Sequence, residues 1–101
     1  MWDSKDLGVD KLIHEERDDC DFYLAEIGQN VYLIAVYTGK NAIYARISTP
    51  YVGEWDCRWV MYSPAGLFAF ARSEEELKSA VRSKLMKLHE VVTGKLRPYY
   101  K

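Results

Sequence analysis

The stretch Ser73–Gly94, SEEELKSAVRSKLMKLHEVVTG, decides the fold. Ser73 followed three residues later by Glu76 is a capping-box pattern, in which the hydroxyl takes one free amide of the first turn and the carboxylate reaches back to another. Glu74, Glu75 and Glu76 also place negative charge at the positive end of the helix dipole. Beyond them Leu77, Ala80, Val81, Leu85, Leu88, Val91 and Val92 fall within one arc at the helical period. Thr93-Gly94 ends the pattern with glycine at the usual left-handed position, and Pro98 prevents any continuation. The pattern predicts one helix of about twenty residues with a single apolar stripe. Such a stripe has to lie on something, and the residues upstream supply a sheet.

Working back from the helix, Leu67–Ala71 is a short β-prone run behind the turn Ser63-Pro64-Ala65-Gly66. Trp55–Tyr62 alternates, with Trp55, Cys57, Trp59 and Met61 on one side and Asp56 and Arg58 on the other, and predicts a strand. Thr49–Glu54 contains Pro50 and Gly53 and predicts a loop. Asn41–Ser48 alternates with Ile43, Ala45 and Ile47 on one face and Tyr44 and Arg46 on the other. Phe22–Ile27 and Val31–Thr38 flank Gly28-Gln29-Asn30, and Gly39-Lys40 separates the next pair, so both connections carry hairpin signals. Asp10–Arg17 predicts two frayed helical turns with Leu12 and Ile13 inward and Asp6 or Asp10 as cap. The acids of Arg17–Asp21 suit a helix C-terminus poorly. The expected architecture is α+β: an antiparallel meander of four to five strands, the long C-terminal helix on one face, and a short N-terminal helix. Trp55, Trp59 and Phe70 are expected under the helix. Tyr44, Arg46, Arg58 and Tyr62 are expected on the opposite face, with Tyr51 in the Pro/Gly loop.

The chain has 101 residues, 49% of them apolar and 29% charged, which predicts one globular domain with a core of its own. Val31–Tyr37 is the longest apolar run and is far short of a membrane span. The acidic start MWDSKDLGVD lacks the apolar segment of a secretion signal. Cys20 and Cys57 match no metal or redox spacing, so free thiols in a cytoplasmic protein are the expectation.

The formal net charge of −1 conceals a separation of charge. Met1–Asn30 carries nine acids against three bases, and Leu77–Lys101 carries seven bases against Glu90 alone. Such a field orients charged partners. The acids Glu15, Glu16, Asp18, Asp19 and Asp21 form one surface, a solvated face rather than a loop with cation-binding spacing. Arg82, Lys87, Lys95, Arg97 and Lys101 form the other, with Tyr99 and Tyr100 among them.

Signatures of chemistry are sparse. No serine sits in a glycine-flanked elbow. The six glycines are isolated, so no phosphate-cradling loop is present. His89 borders the apolar arc and is expected to be structural. The expectation is a non-enzyme without cofactor or metal. A small-molecule site between sheet and helix would have to draw on His89, Cys57 or the Asp18–Asp21 cluster.

Eight tyrosines and three tryptophans point instead to recognition. Tyr, Trp and Arg bury large area at low entropic cost and dominate binding hot spots. The expected partner surface comprises Tyr44, Arg46, Arg58, Tyr62 and Tyr51, with Met86 as an anchor on the outer helix face. In size, split charge and aromatic content the chain resembles small inhibitors encoded by phages and mobile elements, and immunity or antitoxin proteins. The resemblance is one of style, and no motif carries site residues across. It implies binding to another protein, with a nucleic-acid enzyme as target because acids can occupy a basic groove. The alternative is a nucleic-acid-binding module using the basic helix and tail. Homodimerisation through the aromatic face or the edge strand Leu67–Ala71 is compatible with either.

Overall fold

In the computed structural model, which describes residues 2–40, 42–50, 55–63 and 66–94, the chain opens with a single turn of helix, α1 (Ser4–Leu7). Asp3 and Asp6 cap it reciprocally, each side chain accepting from the other's backbone amide at 2.9 and 3.1 Å. Gly8, at φ 68°, ends it. A side chain at Gly8 would be strained by that φ and would press on the Arg82 guanidinium.

The sheet follows as a continuous meander: β1 (Lys11–Glu16), β2 (Asp21–Ile27), β3 (Asn30–Thr38), β4 (Ile43–Ser48) and β5 (Leu67–Ala71). Its spatial order is the chain order, and every pair is antiparallel. Between β4 and β5 the chain forms α2 (Cys57–Tyr62), and after β5 it forms α3 (Glu74–Val92). The α+β architecture expected from the sequence is present.

The front of the sheet carries Tyr23, Ala25, Tyr32, Ile34, Val36, Ala45, Ile47 and Ala69, over which α3 lays Leu77, Val81, Leu85 and Leu88. Trp2, Leu7 and Val9 close the side of this core, with Trp2 stacked on Tyr23 at 5.4 Å. At the start of α3 the Ser73 hydroxyl accepts from the Glu76 amide at 3.2 Å. The Glu76 carboxylate reaches past Ser73 to the Arg72 amide at 3.1 Å.

Two elements differ from the expectation. Asp10–Arg17 is not helical, because Gly8 has already ended the only N-terminal helix. Asp10 instead bonds to β2 through its amide, to the Glu26 carbonyl at 2.9 Å, while its carboxylate accepts from Gly28 at 2.7 Å. Residues 11–16 therefore pair with β2, and the acids of Arg17–Asp21 make the hairpin turn, where Arg17 donates to the Cys20 carbonyl at 3.0 Å. Trp55–Tyr62 is not a strand. The Asp56 side chain caps the Trp59 amide at 2.8 Å and starts α2, whose buried residues Cys57 and Val60 are one helical turn apart. The sheet reaches five strands because β1 takes the place of that run.

The rear of the sheet is consequently not bare. Phe22, Leu33, Ala35, Cys57 and Val60 form a second, smaller core beneath α2. Cys20 and Cys57 are joined in a disulfide, Cα atoms 6.2 Å apart, and not free. They are remote in sequence, but the β1–β2 turn and the start of α2 meet on the same face. Trp55 and Phe70 are exposed and Trp59 is half-buried on this rear side, so none of the three fills the space under α3. That space holds the shorter side chains of the front core. No helix among the described residues is long and apolar enough to cross a membrane.

Candidate functional site

Alternation along β4 and β5 sends Tyr44, Arg46, Phe68 and Phe70 to the rear, with Arg46 at the end of α2. Cross-strand pairing aligns their rings. Tyr37 on β3 stacks on Tyr44 at 5.0 Å, Tyr44 lies 5.8 Å from Phe70, and Phe70 stacks on Phe68 at 5.4 Å. The row becomes more open toward the sheet edge. Tyr37 is half-buried, Phe68 is 39% exposed and Phe70 is 68% exposed. Tyr62, at the end of α2, is 77% exposed.

Arg46 holds this surface together from below. Its Nε donates to the Val60 carbonyl at 3.3 Å and its Nη2 to the Ser63 carbonyl at 2.6 Å, so it satisfies the C-terminal carbonyls of α2. The same guanidinium lies over the Phe68 ring, 4.5 Å from the centroid. Gly66 passes close by, and any Cβ there would collide with the guanidinium. Arg46 is thus a half-buried cation held in place by the end of α2 and the Phe68 ring.

Of the expected acidic face, Asp18 and Asp19 border the same surface, whereas Glu16 and Asp21 turn toward the start of α3 on the other side of the sheet. Asp18 and Asp19 form the exposed tip of the β1–β2 turn. A groove of about 310 Å³ between this turn and α2 is lined by Arg17, Asp18, Asp19, Asp56, Cys57 and Arg58. Burial raises the Tyr37 phenol above its ordinary value, with Tyr44, Asp19, Tyr62 and Asp56 adding to the effect. These groups therefore share one neighbourhood. Glu15 is bound to Arg17, whose guanidinium also covers Phe22 at 4.5 Å.

The expected site residues separate accordingly. Tyr44 and Tyr62 are both neighbours of Tyr37 on the rear. Arg58 is exposed on α2 beside the acidic turn, because helical and not strand geometry sets its direction. Met86 is 40% exposed on α3, the layer on the other side of the sheet, so it belongs to a different surface. Arg82 and Lys87 are exposed on α3, with Arg82 packed against Gly8. Tyr51, Lys95, Arg97, Tyr99, Tyr100 and Lys101, parts of the Thr49–Glu54 loop, Pro64-Ala65 and Asn41 lie outside the described residues. Phe68 and Phe70 are the site residues that the sequence reading missed as a surface. The alternation of LFAFA was the available signal.

A second concavity, about 440 Å³, opens between the β1–β2 pair and the start of α3. His14 and Asp21 lie in its wall, Nε2 to Oδ1 3.3 Å, with the His14 ring 4.7 Å from Tyr23. Arg72, Glu74 and Glu16 line its rim. Trp2 donates its backbone amide to the Tyr23 hydroxyl at 3.3 Å, and burial raises the Tyr23 phenol. Of the groups considered for a small-molecule site, Cys57 is in the disulfide and Asp21 faces His14. His89 is held by the Tyr32 hydroxyl, at 2.6 Å from Nδ1. Among the described residues no three His, Cys, Asp or Glu side chains converge as a metal-holding group.

No protein-family model, curated protein or solved structure matches the chain.

Proposed function

We propose that this chain is a non-catalytic protein-binding module whose partner docks on the rear aromatic row. One observation carries the reading: the stacked rings of Tyr37, Tyr44 and Phe70 lead from the core out to Phe70, which is 68% exposed, with Phe68 stacked beside it at 39%. A soluble surface gains nothing from leaving such area in water, and contiguous apolar patches of this kind mark binding sites. The rings are held by their neighbours and lose little entropy on docking. Asp18, Asp19 and Asp56 give the row an acidic border, so the complementary partner presents apolar side chains flanked by Lys or Arg. A nucleic-acid enzyme with a basic groove fits that description, and the chain would then act as its inhibitor or antitoxin.

The test compares proteins retained from the native host by the wild-type chain with those retained by a Tyr44→Ala/Tyr62→Ala variant of unchanged melting temperature. The reading expects one stoichiometric partner that the variant loses, with affinity reduced about tenfold or more. Retention of the same proteins by both chains overturns it. Steeply salt-dependent binding to oligonucleotides, lost on Arg82→Ala/Lys87→Ala, would establish the nucleic-acid reading in its place.

A further inference from the structure

We infer that β5 is a self-pairing edge, through which two copies of this chain join their sheets antiparallel about a twofold axis at Ala69. The observations concern the edge of the sheet, not its face, and do not rest on the partner reading above. β5 pairs with β4 on one side, and no described strand pairs with it on the other. An outer strand ordinarily carries charge, proline or a bulge that prevents pairing with another chain. At the opposite edge β1 has this protection in Lys11, Glu15 and Glu16. β5 reads LFAFA and has none.

The sequence of β5 is self-complementary about its centre. With Ala69 opposite Ala69 of the second copy, Phe68 faces Phe70 across the axis twice, and Leu67 faces Ala71 twice. On the rear this continues the Phe68–Phe70 stack from one copy into the next, as aromatic cross-strand pairs favour. On the front only small side chains meet at the axis.

Helix α3 supplies the charge match. It returns over β5 directly from Ala71, and its contacts with α1 lie on one flank, at Lys78 with Asp6 and Arg82 with Gly8. Glu76, Ala80 and Lys84, spaced by four, fall in a row on the other side of the buried stripe Leu77, Val81 and Leu85, and α3 lies across β4 and β5 together. Twofold pairing brings the two rows together antiparallel. Ala80 then lies near the axis, and each Glu76 faces Lys84 of the other copy. Because β1 is charged, the contact closes as a dimer and does not extend into a fibre.

The experiment is sedimentation equilibrium of the full chain across a wide concentration range, with circular dichroism to verify each variant's fold. The wild type is expected to be a reversible dimer. Phe70→Lys, at a position already 68% exposed, places a charge against the opposing Phe68 and is expected to weaken self-association about tenfold or more. An equimolar mixture of Phe70→Lys and Phe68→Glu is expected to regain the dimer, since one Lys–Glu and one Phe–Phe pair then face each other. A monomeric wild type, an undiminished Phe70→Lys dimer, or a mixture that stays monomeric would each overturn the inference.

Discussion

The front of the sheet lies under a helix of nineteen residues, the rear under one of six. The front helix has four buried apolar residues spread over its length and is capped at its start by its own sequence. The rear helix buries only Cys57 and Val60. It is held instead by tethers: the Asp56 cap, the Arg46 guanidinium at its last carbonyls, and the disulfide to Cys20. Apolar burial of about 1.5–3 kcal/mol per large side chain suffices where a stripe is long. Where it is short, specific bonds substitute for area, and the sheet beyond their reach stays open. The aromatic row occupies that open part.

Breaking the front is expected to have the largest effect. Leu85→Ala, at a fully buried position, should cost about 3–5 kcal/mol in urea denaturation, whereas Phe70→Ala should cost well under 1 kcal/mol. Equal losses would mean that the row is packed and not displayed. Removing the rear tether comes next. The double variant Cys20→Ala/Cys57→Ala opens a loop of 37 residues and should cost about 3–4 kcal/mol, with guanidinium midpoints showing the loss. A thiol assay on unreduced, denatured wild type should find no free cysteine.

The tyrosines probe both faces together. Burial raises Tyr23 and Tyr32 on the front and Tyr37 on the rear above the ordinary value of 10.0. Their neutral forms are favoured in the folded state, so the stability they confer is intact below pH 10 and is lost as pH rises through the higher folded values. Absorbance titration should show at least three phenols ionising late, together with alkaline unfolding. The smallest effect concerns Ser48, which is fully buried on the rear with no hydrogen-bond partner for its hydroxyl among the described residues. Ser48→Ala should be neutral or stabilising by up to about 1 kcal/mol, and a clear loss would reveal a partner for that hydroxyl.

The same contrast explains what the sequence made legible. The long helix announces itself through Ser73, Glu76 and nineteen residues of periodicity, β2 and β3 through β-prone runs flanking a glycine-bearing turn, β4 through alternation, and β5 as a short β-prone run behind a turn. In α2, six residues do not distinguish a period of 2 from one of 3.6, and the large side chains of CRWVMY alternate by accident. In β1, KLIHEE keeps its charges on an edge and offers no apolar alternation. The disulfide depends on two turns meeting in space, which no spacing encodes. The side of the sheet bearing Tyr44 and Arg46 was legible, but the role of Arg46 was not. Its partners are carbonyls of a helix that the alternation of Trp55–Tyr62 conceals.

The bond between Cys20 and Cys57 closes a covalent ring that contains β2, β3 and β4 entire and leaves β1, β5 and α3 attached outside it. A protease cut after Lys40, within that ring, therefore releases no fragment. The nicked molecule keeps its mass under denaturing conditions and divides into two pieces only when a thiol reagent is added.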